Sequence, residues 1–148
     1  MSSLIKDSNY YRKLIVEHYS NPVNKGLLKT KDSIVFHHFS NSCVDDFFIE
    51  LTFKENSITD ARFEGVGCAI STAAIDIFAD FIKNKTIAEV TKINKNYRDM
   101  LLDKSYQENQ LAALLAFKNV LKQPNRIKCA LIISESIQEI FSMKQDRK

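Results

Sequence analysis

Glycine is scarce in this chain, and its few positions are informative. Only Gly26, Gly65 and Gly67 occur among 148 residues. Two of them immediately precede a cysteine, in the run Gly65-Val66-Gly67-Cys68. Because glycine adopts backbone conformations that other residues avoid, this run predicts a tight turn just before Cys68. The sequence also offers no glycine-rich phosphate-binding loop.

Cysteine is scarce too, and its number is odd. Cys43, Cys68 and Cys129 are too few and too far apart to indicate a disulfide framework. In a reducing compartment they are metal ligands, catalytic thiols or ordinary core residues, since free cysteine is often buried. Their intervals match no local zinc signature such as CxxC, so only the fold could bring the three thiols together.

Long apolar runs and a strong charge excess are missing as well. No segment approaches the roughly 18 apolar residues of a membrane span. The N-terminal sequence MSSLIKDSNYYRK reaches polar and charged residues too early for a signal peptide. The 21 basic and 18 acidic residues leave too mild a net charge to indicate nucleic acid as a partner. We therefore expect a cytoplasmic protein that binds neither membranes nor nucleic acid.

The composition is that of a folded domain. With 45% hydrophobic and 26% charged residues, we expect residues 1–148 to form one domain with its own core. Ser33–Phe39 predicts a first strand, and residues 47–54 alternate apolar and polar side chains with the period of a half-buried strand. A turn at 54–57 and a third strand at 58–64 complete a three-stranded antiparallel sheet joined by hairpins.

The remaining segments have helical periodicity. Residues 7–19 and 69–83 predict helices, and a capping-box pattern at 86–89 opens a short third helix. After a polar stretch at 94–108, residues 109–122 predict another helix, and Pro124 begins the last one. This order of elements predicts an α+β fold in which several helices cover one face of the sheet.

The three cysteines differ in their local settings. Cys43 lies in a polar segment between two predicted strands, where we expect it to be accessible. Cys68 follows the glycine turn at a helix N-terminus, where backbone N–H groups and the helix dipole stabilise a thiolate. Cys129 lies on the last helix three residues after Arg126, so the guanidinium and the thiol share a helix face.

These residues are suited to binding a metal ion. Three thiolates and the carboxylate of Asp45 would satisfy tetrahedral zinc, and Arg126 would offset part of their negative charge. The next residue, Asp46, is expected to be solvated. The histidines are weaker candidates, because two alternate on a predicted strand and the third should pack at a helix end: His37, His38 and His18.

Several motifs resemble those of the U-type iron-sulfur assembly family, which comprises IscU, SufU and the N-terminal part of NifU. The segment YRKLIVEHYSNP at 11–22 is similar to the family's opening helix and its HY-x-NP ending. The segment GVGCAIS at 65–71 is similar to its G-x-G-C-A-I-S loop. The segment RIKCA at 126–130 resembles R-x-K-C-A of the SufU branch, with Lys128 where IscU has histidine. The resemblance extends over nearly the whole chain.

The resemblance carries expectations for the fold, the metal and the partners. It implies a SufE/NifU-like fold and zinc held by three cysteines and one aspartate, here Cys43, Asp45, Cys68 and Cys129. Similarity to SufU implies a sulfurtransferase that accepts persulfide sulfur from a pyridoxal-phosphate-dependent cysteine desulfurase of the SufS type. The sulfur would pass to an apoprotein or a downstream assembly factor. Similarity to IscU would instead imply an iron-binding scaffold on which a [2Fe-2S] cluster forms and is transferred to apoproteins.

The leading hypothesis is a zinc-dependent sulfurtransferase in which Cys43 is the nucleophile and Arg126 steadies the charge of the site. Docking to the desulfurase would displace Cys43 from zinc and free its thiolate to attack the persulfide. The alternatives are the cluster scaffold and a structural zinc domain that only recruits partners. The first-cysteine motif departs from the family's N-P-x-C-G-D, since Ser40, Asn41 and Val44 replace its Asn, Pro and Gly. We expect Val44 to stiffen this loop and to alter ligand exchange.

Overall fold

The computed structural model describes residues 7–39 and 44–147, so the predictions for Cys43 and its neighbours Ser40 and Asn41 lie outside the described residues. The elements follow in the order α1 (Ser8–Ser20), β1 (Ser33–Phe39), β2 (Asp46–Lys54), β3 (Ser57–Val66), α2 (Ala69–Ile82), β4 (Lys85–Thr86), α3 (Ile87–Leu101), 3₁₀ turns at Glu108–Gln110 and Ala112–Lys122, and α4 (Pro124–Asp146). The predicted α+β fold with an antiparallel sheet is confirmed.

The sheet has four strands in the order β1-β2-β3-β4, so the expectation of three strands was wrong by one short strand. Asn84 adopts a left-handed backbone conformation with φ of 67°, and its N–H donates to the carbonyl of Ile58. This turn returns the chain beside β3, where Ser57 pairs with Thr86. Two residues are too few to show a strand period, which is why the sequence pattern did not reveal β4.

One face of the sheet forms the core. The alternating apolar side chains of β2 are all buried, as predicted, and α2 and α4 pack against β3 and β1. On the opposite face, the segment that follows α1 crosses the sheet and covers Glu50. The Glu50 carboxylate is fully buried and accepts hydrogen bonds from the N–H groups of Leu28 and Lys29, at 2.8 and 2.7 Å. These two bonds satisfy a charge that would otherwise be costly to bury.

A buried carboxylate also fixes α1 against α2. His18, near the end of α1, was expected only to pack, but its Nδ1 lies 2.6 Å from Oδ2 of Asp76. Because a carboxylate only accepts, His18 donates this hydrogen bond. The backbone N–H groups of Val23 and Asn24 donate to the same carboxylate at 3.1 and 2.9 Å. Asp76 therefore holds the end of α1 and the chain that follows it.

The third helix is longer than predicted. The capping box is present, with Thr86 and Glu89 bonding each other's backbone N–H groups. The helix then continues through Leu101, so the first half of the expected polar stretch at 94–108 is helical. Its two asparagines are buried and hydrogen-bonded through their side chains: Asn94 Nδ2 donates to the carbonyl of Ser134, and Asn96 exchanges two hydrogen bonds with the backbone of Gln107.

The segment predicted as an α-helix at 109–122 forms two 3₁₀ helices, a short one at Glu108–Gln110 and a longer one at Ala112–Lys122. Ala112 has a left-handed backbone with φ of 48°, which interrupts the segment after Leu111. One row of buried side chains recurs every three residues, at Leu111, Leu114, Phe117 and Val120, and Leu115 and Ala116 are buried beside it. That interval matches the three residues per turn of a 3₁₀ helix better than the 3.6 of an α-helix. Among the described residues, no helix has the length and hydropathy needed to cross a membrane.

Candidate metal centre

Three elements begin at the same end of the sheet, and each brings one ligand-type side chain. Asp45 directly precedes β2, Cys68 directly precedes α2, and Cys129 lies in the second turn of α4. The carboxylate and the two thiols all lie within 4.8 Å of one another. Asp45 is buried, and both cysteines are partly buried. The fold thus brings together three of the four residues expected to bind a metal.

Cys68 is the N-cap of α2. Its backbone is extended, and its sulfur accepts a hydrogen bond from the N–H of Ser71, at 3.4 Å. This bond satisfies one of the helix N–H groups that otherwise lack a partner, the role usually filled by an oxygen side chain. The helix N-terminus therefore both positions the sulfur and provides positive potential for a thiolate.

The two glycines before Cys68 are required for different reasons. Gly65 has φ of 123°, and a Cβ there would lie 2.1 Å from the carbonyl oxygen of Asp46 across the sheet. At Gly67 a Cβ would lie 2.3 Å from Asp45 Oδ1 and 2.6 Å from the ring of Phe47. Gly67 consequently leaves the space that the Asp45 carboxylate occupies beside Cys68.

The two oxygens of Asp45 have different partners. Oδ1 accepts hydrogen bonds from the Cys68 N–H at 3.0 Å and from the Ser71 hydroxyl at 2.9 Å. Oδ2 faces the sulfur of Cys129 at 3.6 Å. Asp45 is only 3% exposed, so these contacts, rather than water, determine how the carboxylate is oriented.

The two thiols have opposite pKa shifts. Partial burial raises the pKa of Cys68, but hydrogen bonds from Ser71 and from the Cys129 thiol outweigh this effect, so the pKa lies below its ordinary value. Partial burial, together with the hydrogen bond to Cys68 and the charges of Cys68 and Asp45, raises the pKa of Cys129 to about 12. Without a metal, therefore, Cys68 is the thiol that ionises first, and Cys129 shares its proton with it.

The residues brought together fit a zinc ion. Zinc binds sulfur at about 2.3 Å and carboxylate oxygen at about 2.0–2.2 Å. Ligand atoms that already lie within 4.8 Å of one another need only small movements to reach one such ion. Two sulfurs and one oxygen supply three of the four positions of a tetrahedral site. Cys43, the remaining expected ligand, lies outside the described residues, two positions before Asp45 in the sequence.

Arg126 and Asp46 are both exposed, at the starts of α4 and β2. Arg126 is exposed in the first turn of α4, and within residues 7–39 and 44–147 its side chain forms no ion pair. Asp46 is exposed, as expected, and its Oδ1 lies 2.7 Å from Nε2 of His37. His37 is exposed and stacks on Phe48, whereas His38 is partly buried. Neither histidine belongs to the metal-ligand cluster found among the described residues.

Sequence reasoning missed the part played by Ser71. This serine is fully buried and contacts both Asp45 and Cys68, yet nothing in its type distinguishes it from other helix-start serines. The available signal was its position three residues after Cys68, since the N–H at that helix position commonly bonds the N-cap side chain. The contact with Asp45 depends on long-range folding and has no local signature.

Comparison with known proteins shows to which family the chain belongs. The sequence profile described as NifU-like N terminal domain matches residues 10–130, which is most of the chain. The chain belongs to this family. The U-type iron-sulfur assembly resemblance drawn from the motifs is therefore confirmed.

Individual relatives agree with this assignment. The chain is 35% identical over 130 residues to the zinc-dependent sulfurtransferase SufU of Bacillus subtilis, with 87% of each chain covered. It is 24% identical to the iron-sulfur cluster assembly scaffold protein IscU of Thermotoga maritima, covering 87% of this chain and 90% of that one. A crystal structure of a candidate iron-sulfur cluster assembly scaffold protein for the SUF system from Fervidobacterium islandicum superposes with a TM-score of 0.81. That structure is 28% identical, and the match covers 91% of this chain and 98% of the other.

Proposed function

We propose that this NifU-like domain is a zinc-dependent sulfurtransferase that accepts persulfide sulfur from a cysteine desulfurase. The observation that carries the proposal is the convergence of Asp45, Cys68 and Cys129 within 4.8 Å. The name of the Bacillus subtilis relative, a zinc-dependent sulfurtransferase, supports zinc as the metal. Cys43 completes the proposed ligand set. When bound, zinc would keep the cysteine ligands in the thiolate form.

In this proposal, three of the residues hold the metal ion and the fourth reacts with the persulfide. Cys68 is fixed as the N-cap of α2, Cys129 is carried by α4, and Asp45 is buried between them. In the sequence, Cys43 lies between the segments that form β1 and β2 and directly precedes Val44, which is 77% exposed. Reaction with a partner requires access, and this supports Cys43 as the nucleophile. The exposed guanidinium of Arg126 would steady the negative charge of the site.

The proposed step is a thiol-persulfide exchange. The Cys43 thiolate attacks the terminal sulfur of the persulfide on the desulfurase and forms a new S–S bond. The S–S bond of the desulfurase breaks, and its cysteine leaves as a thiolate that takes up a proton. One S–S bond replaces another, so the step needs no external oxidant or reductant. The resulting Cys43 persulfide would be passed to a downstream assembly factor or an apoprotein.

The test is stimulation of a SufS-type cysteine desulfurase by the purified protein. We expect Cys43→Ala to abolish the stimulation and to leave no sulfur on the chain, as measured by mass spectrometry after one turnover. Ser42→Ala, a change at the adjacent position, is the matched control and should keep full stimulation. Full stimulation by Cys43→Ala would eliminate the proposed role of this residue.

A second candidate function is a scaffold for a [2Fe-2S] cluster. The Thermotoga maritima relative, a cluster assembly scaffold, favours it, and the same four residues would serve as ligands. A scaffold would bind iron and sulfide, develop the absorbance of a cluster and transfer that cluster to an apoprotein. Cluster transfer from the reconstituted protein to an apoferredoxin, measured by the absorbance of the acceptor, would favour this function over sulfur transfer.

A further inference from the structure

One carboxylate oxygen of Asp45 accepts hydrogen bonds from the protein, and the other is available to bind a metal ion. The Cys68 N–H and the Ser71 hydroxyl both donate to Oδ1, at 3.0 and 2.9 Å. An ionised carboxyl oxygen has about two lone-pair positions, so these two donors saturate Oδ1. Oδ2 points toward Cys129, whose sulfur is 3.6 Å away.

The hydroxyl of Ser71 has several acceptors within reach but only one proton. Asp45 Oδ1 lies at 2.9 Å, the carbonyl oxygen of Cys68 at 3.1 Å and the sulfur of Cys68 at 3.4 Å. The carboxylate is both the nearest and the charged acceptor, and charge-assisted hydrogen bonds are the strongest. This geometry favours Asp45 as the acceptor of the hydroxyl proton. The sulfur of Cys68 accepts from the Ser71 N–H, and its thiolate form also attracts the hydroxyl.

Ser71 cannot easily be replaced in this role by water. Its side chain is fully buried, and Asp45 is only 3% exposed. On the other side of the carboxylate, Gly67 leaves no room for a water molecule, because even one carbon added there would lie 2.3 Å from Oδ1. Loss of the hydroxyl would leave Oδ1 with the Cys68 N–H as its remaining donor and would allow the carboxylate to rotate.

We propose that Ser71 is a positioning residue for the metal centre, which fixes Asp45 as a ligand through Oδ2 alone. The inference rests on the proposed zinc site and adds to it the residue that sets how Asp45 binds. Hydrogen-bond partners of metal ligands orient the ligand, and their loss typically lowers metal affinity by about 10- to 100-fold. Ser71 acts on the metal only through Asp45 and contributes no ligand atom of its own.

The experiment measures zinc affinity by competition with chelators of graded strength at one fixed pH. The chains compared are the wild type, Ser71→Ala, Asp45→Ala, the double variant, and Ser136→Ala as the matched control. Ser136 is also a fully buried helical serine, but its hydroxyl bonds the carbonyl of Ile132 in α4. We expect Ser71→Ala to bind zinc about 10- to 100-fold more weakly than the wild type. Ser136→Ala should bind zinc as the wild type does.

The double variant separates positioning from a general effect on folding. If Ser71 acts through Asp45, removal of its hydroxyl costs nothing further once Asp45 is alanine. In addition, the visible absorption of the cobalt-substituted Ser71→Ala protein should differ from that of the wild type, because the freed Oδ1 changes the ligand field.

The possible results lead to different conclusions. Wild-type affinity in Ser71→Ala, an equal loss in Ser136→Ala, or a full additional loss in the double variant would each overturn the role of Ser71. If the wild type itself binds no zinc, the proposed function fails before the role of Ser71 arises, so the two failures are distinguishable.

Discussion

The carboxylate of Asp45 and the thiol of Cys129 meet although 84 residues separate them, with Cys129 Sγ lying 3.6 Å from Asp45 Oδ2. Asp45 directly precedes β2, Cys129 lies in the second turn of the last helix, and Cys68 joins them from the start of α2. The contact brings a buried acid against a thiol whose pKa is raised to about 12. Two donors compensate Oδ1 of this buried carboxylate, whereas Oδ2 faces a thiol, and we therefore propose that the metal binds at Oδ2.

Replacing Asp45 by alanine should weaken zinc binding by more than about 100-fold, since loss of a ligand exceeds the loss of a ligand's hydrogen-bond partner. Chelator competition measures the affinity. Asp46→Ala is the matched control, because Asp46 is the next residue but is exposed and paired with His37 on the other side of the strand. A similar loss in both variants would contradict the assignment of Asp45 as a ligand.

Replacing Gly67 by alanine should damage the site sterically. The new Cβ would lie 2.3 Å from Asp45 Oδ1 and 2.6 Å from the Phe47 ring, so the carboxylate must move. We expect weaker zinc binding and a free energy of unfolding lower by about 1–3 kcal/mol, as for other overpacked cores. Denaturant unfolding and chelator competition are the measurements.

Gly26→Ala is the comparison for Gly67→Ala. Gly26 has φ of 107°, so alanine strains the backbone there, but its Cβ would meet no atom closer than 3.7 Å. This variant should lose stability and keep wild-type zinc affinity. If Gly67→Ala bound zinc as the wild type does, the close approach at Gly67 would have no role in the site.

The sequence predicted the sheet and most helices because their patterns are local. The alternation in β2, the cap of α2 at Cys68 and the capping box of α3 are each set by neighbouring residues. The short strand β4 and the 3₁₀ segment at Ala112–Lys122 were missed or mistaken, since both depend on left-handed turns, at Asn84 and Ala112, that leave no periodic signal.

The sequence indicated which residues form the cluster, but not which residues support them. The residue types of Asp45, Cys68 and Cys129, together with the family motifs, pointed to these three side chains, which the fold brings together. The contact between Ser71 and Asp45 spans 26 residues, and the contact between His18 and Asp76 spans 58. Contacts at that separation are formed by the tertiary fold, so no local spacing reveals them.

In the zinc-free protein, Cys68 should react with iodoacetamide faster than Cys129 near neutral pH. The pKa of Cys68 lies below its ordinary value, whereas the pKa of Cys129 is raised to about 12. The thiolate is the reactive form and its fraction grows as pH approaches the pKa, so alkylation of Cys129 should increase up to strongly alkaline pH. Peptide mapping by mass spectrometry follows each thiol separately. Faster alkylation of Cys129 at neutral pH would be incompatible with these shifts.

Removing the Asp76 carboxylate should loosen α1 from α2. Asp76→Ala leaves the His18 ring and the N–H groups of Val23 and Asn24 without their acceptor. We expect the free energy of unfolding to fall by about 1–3 kcal/mol, the cost of leaving a buried donor without its acceptor. Asp80→Ala, at an exposed position of the same helix, should change it by less than about 0.5 kcal/mol. Equal effects of the two changes in denaturant unfolding would show that the buried network adds nothing.

The metal content of the protein purified without oxygen tests the account most directly. Elemental analysis and the visible spectrum are recorded on the same sample of wild-type protein. The account predicts one tightly bound zinc ion per chain and no absorbance of an iron-sulfur cluster. Iron and sulfide with cluster absorbance, and no zinc, would contradict the sulfurtransferase and favour the scaffold.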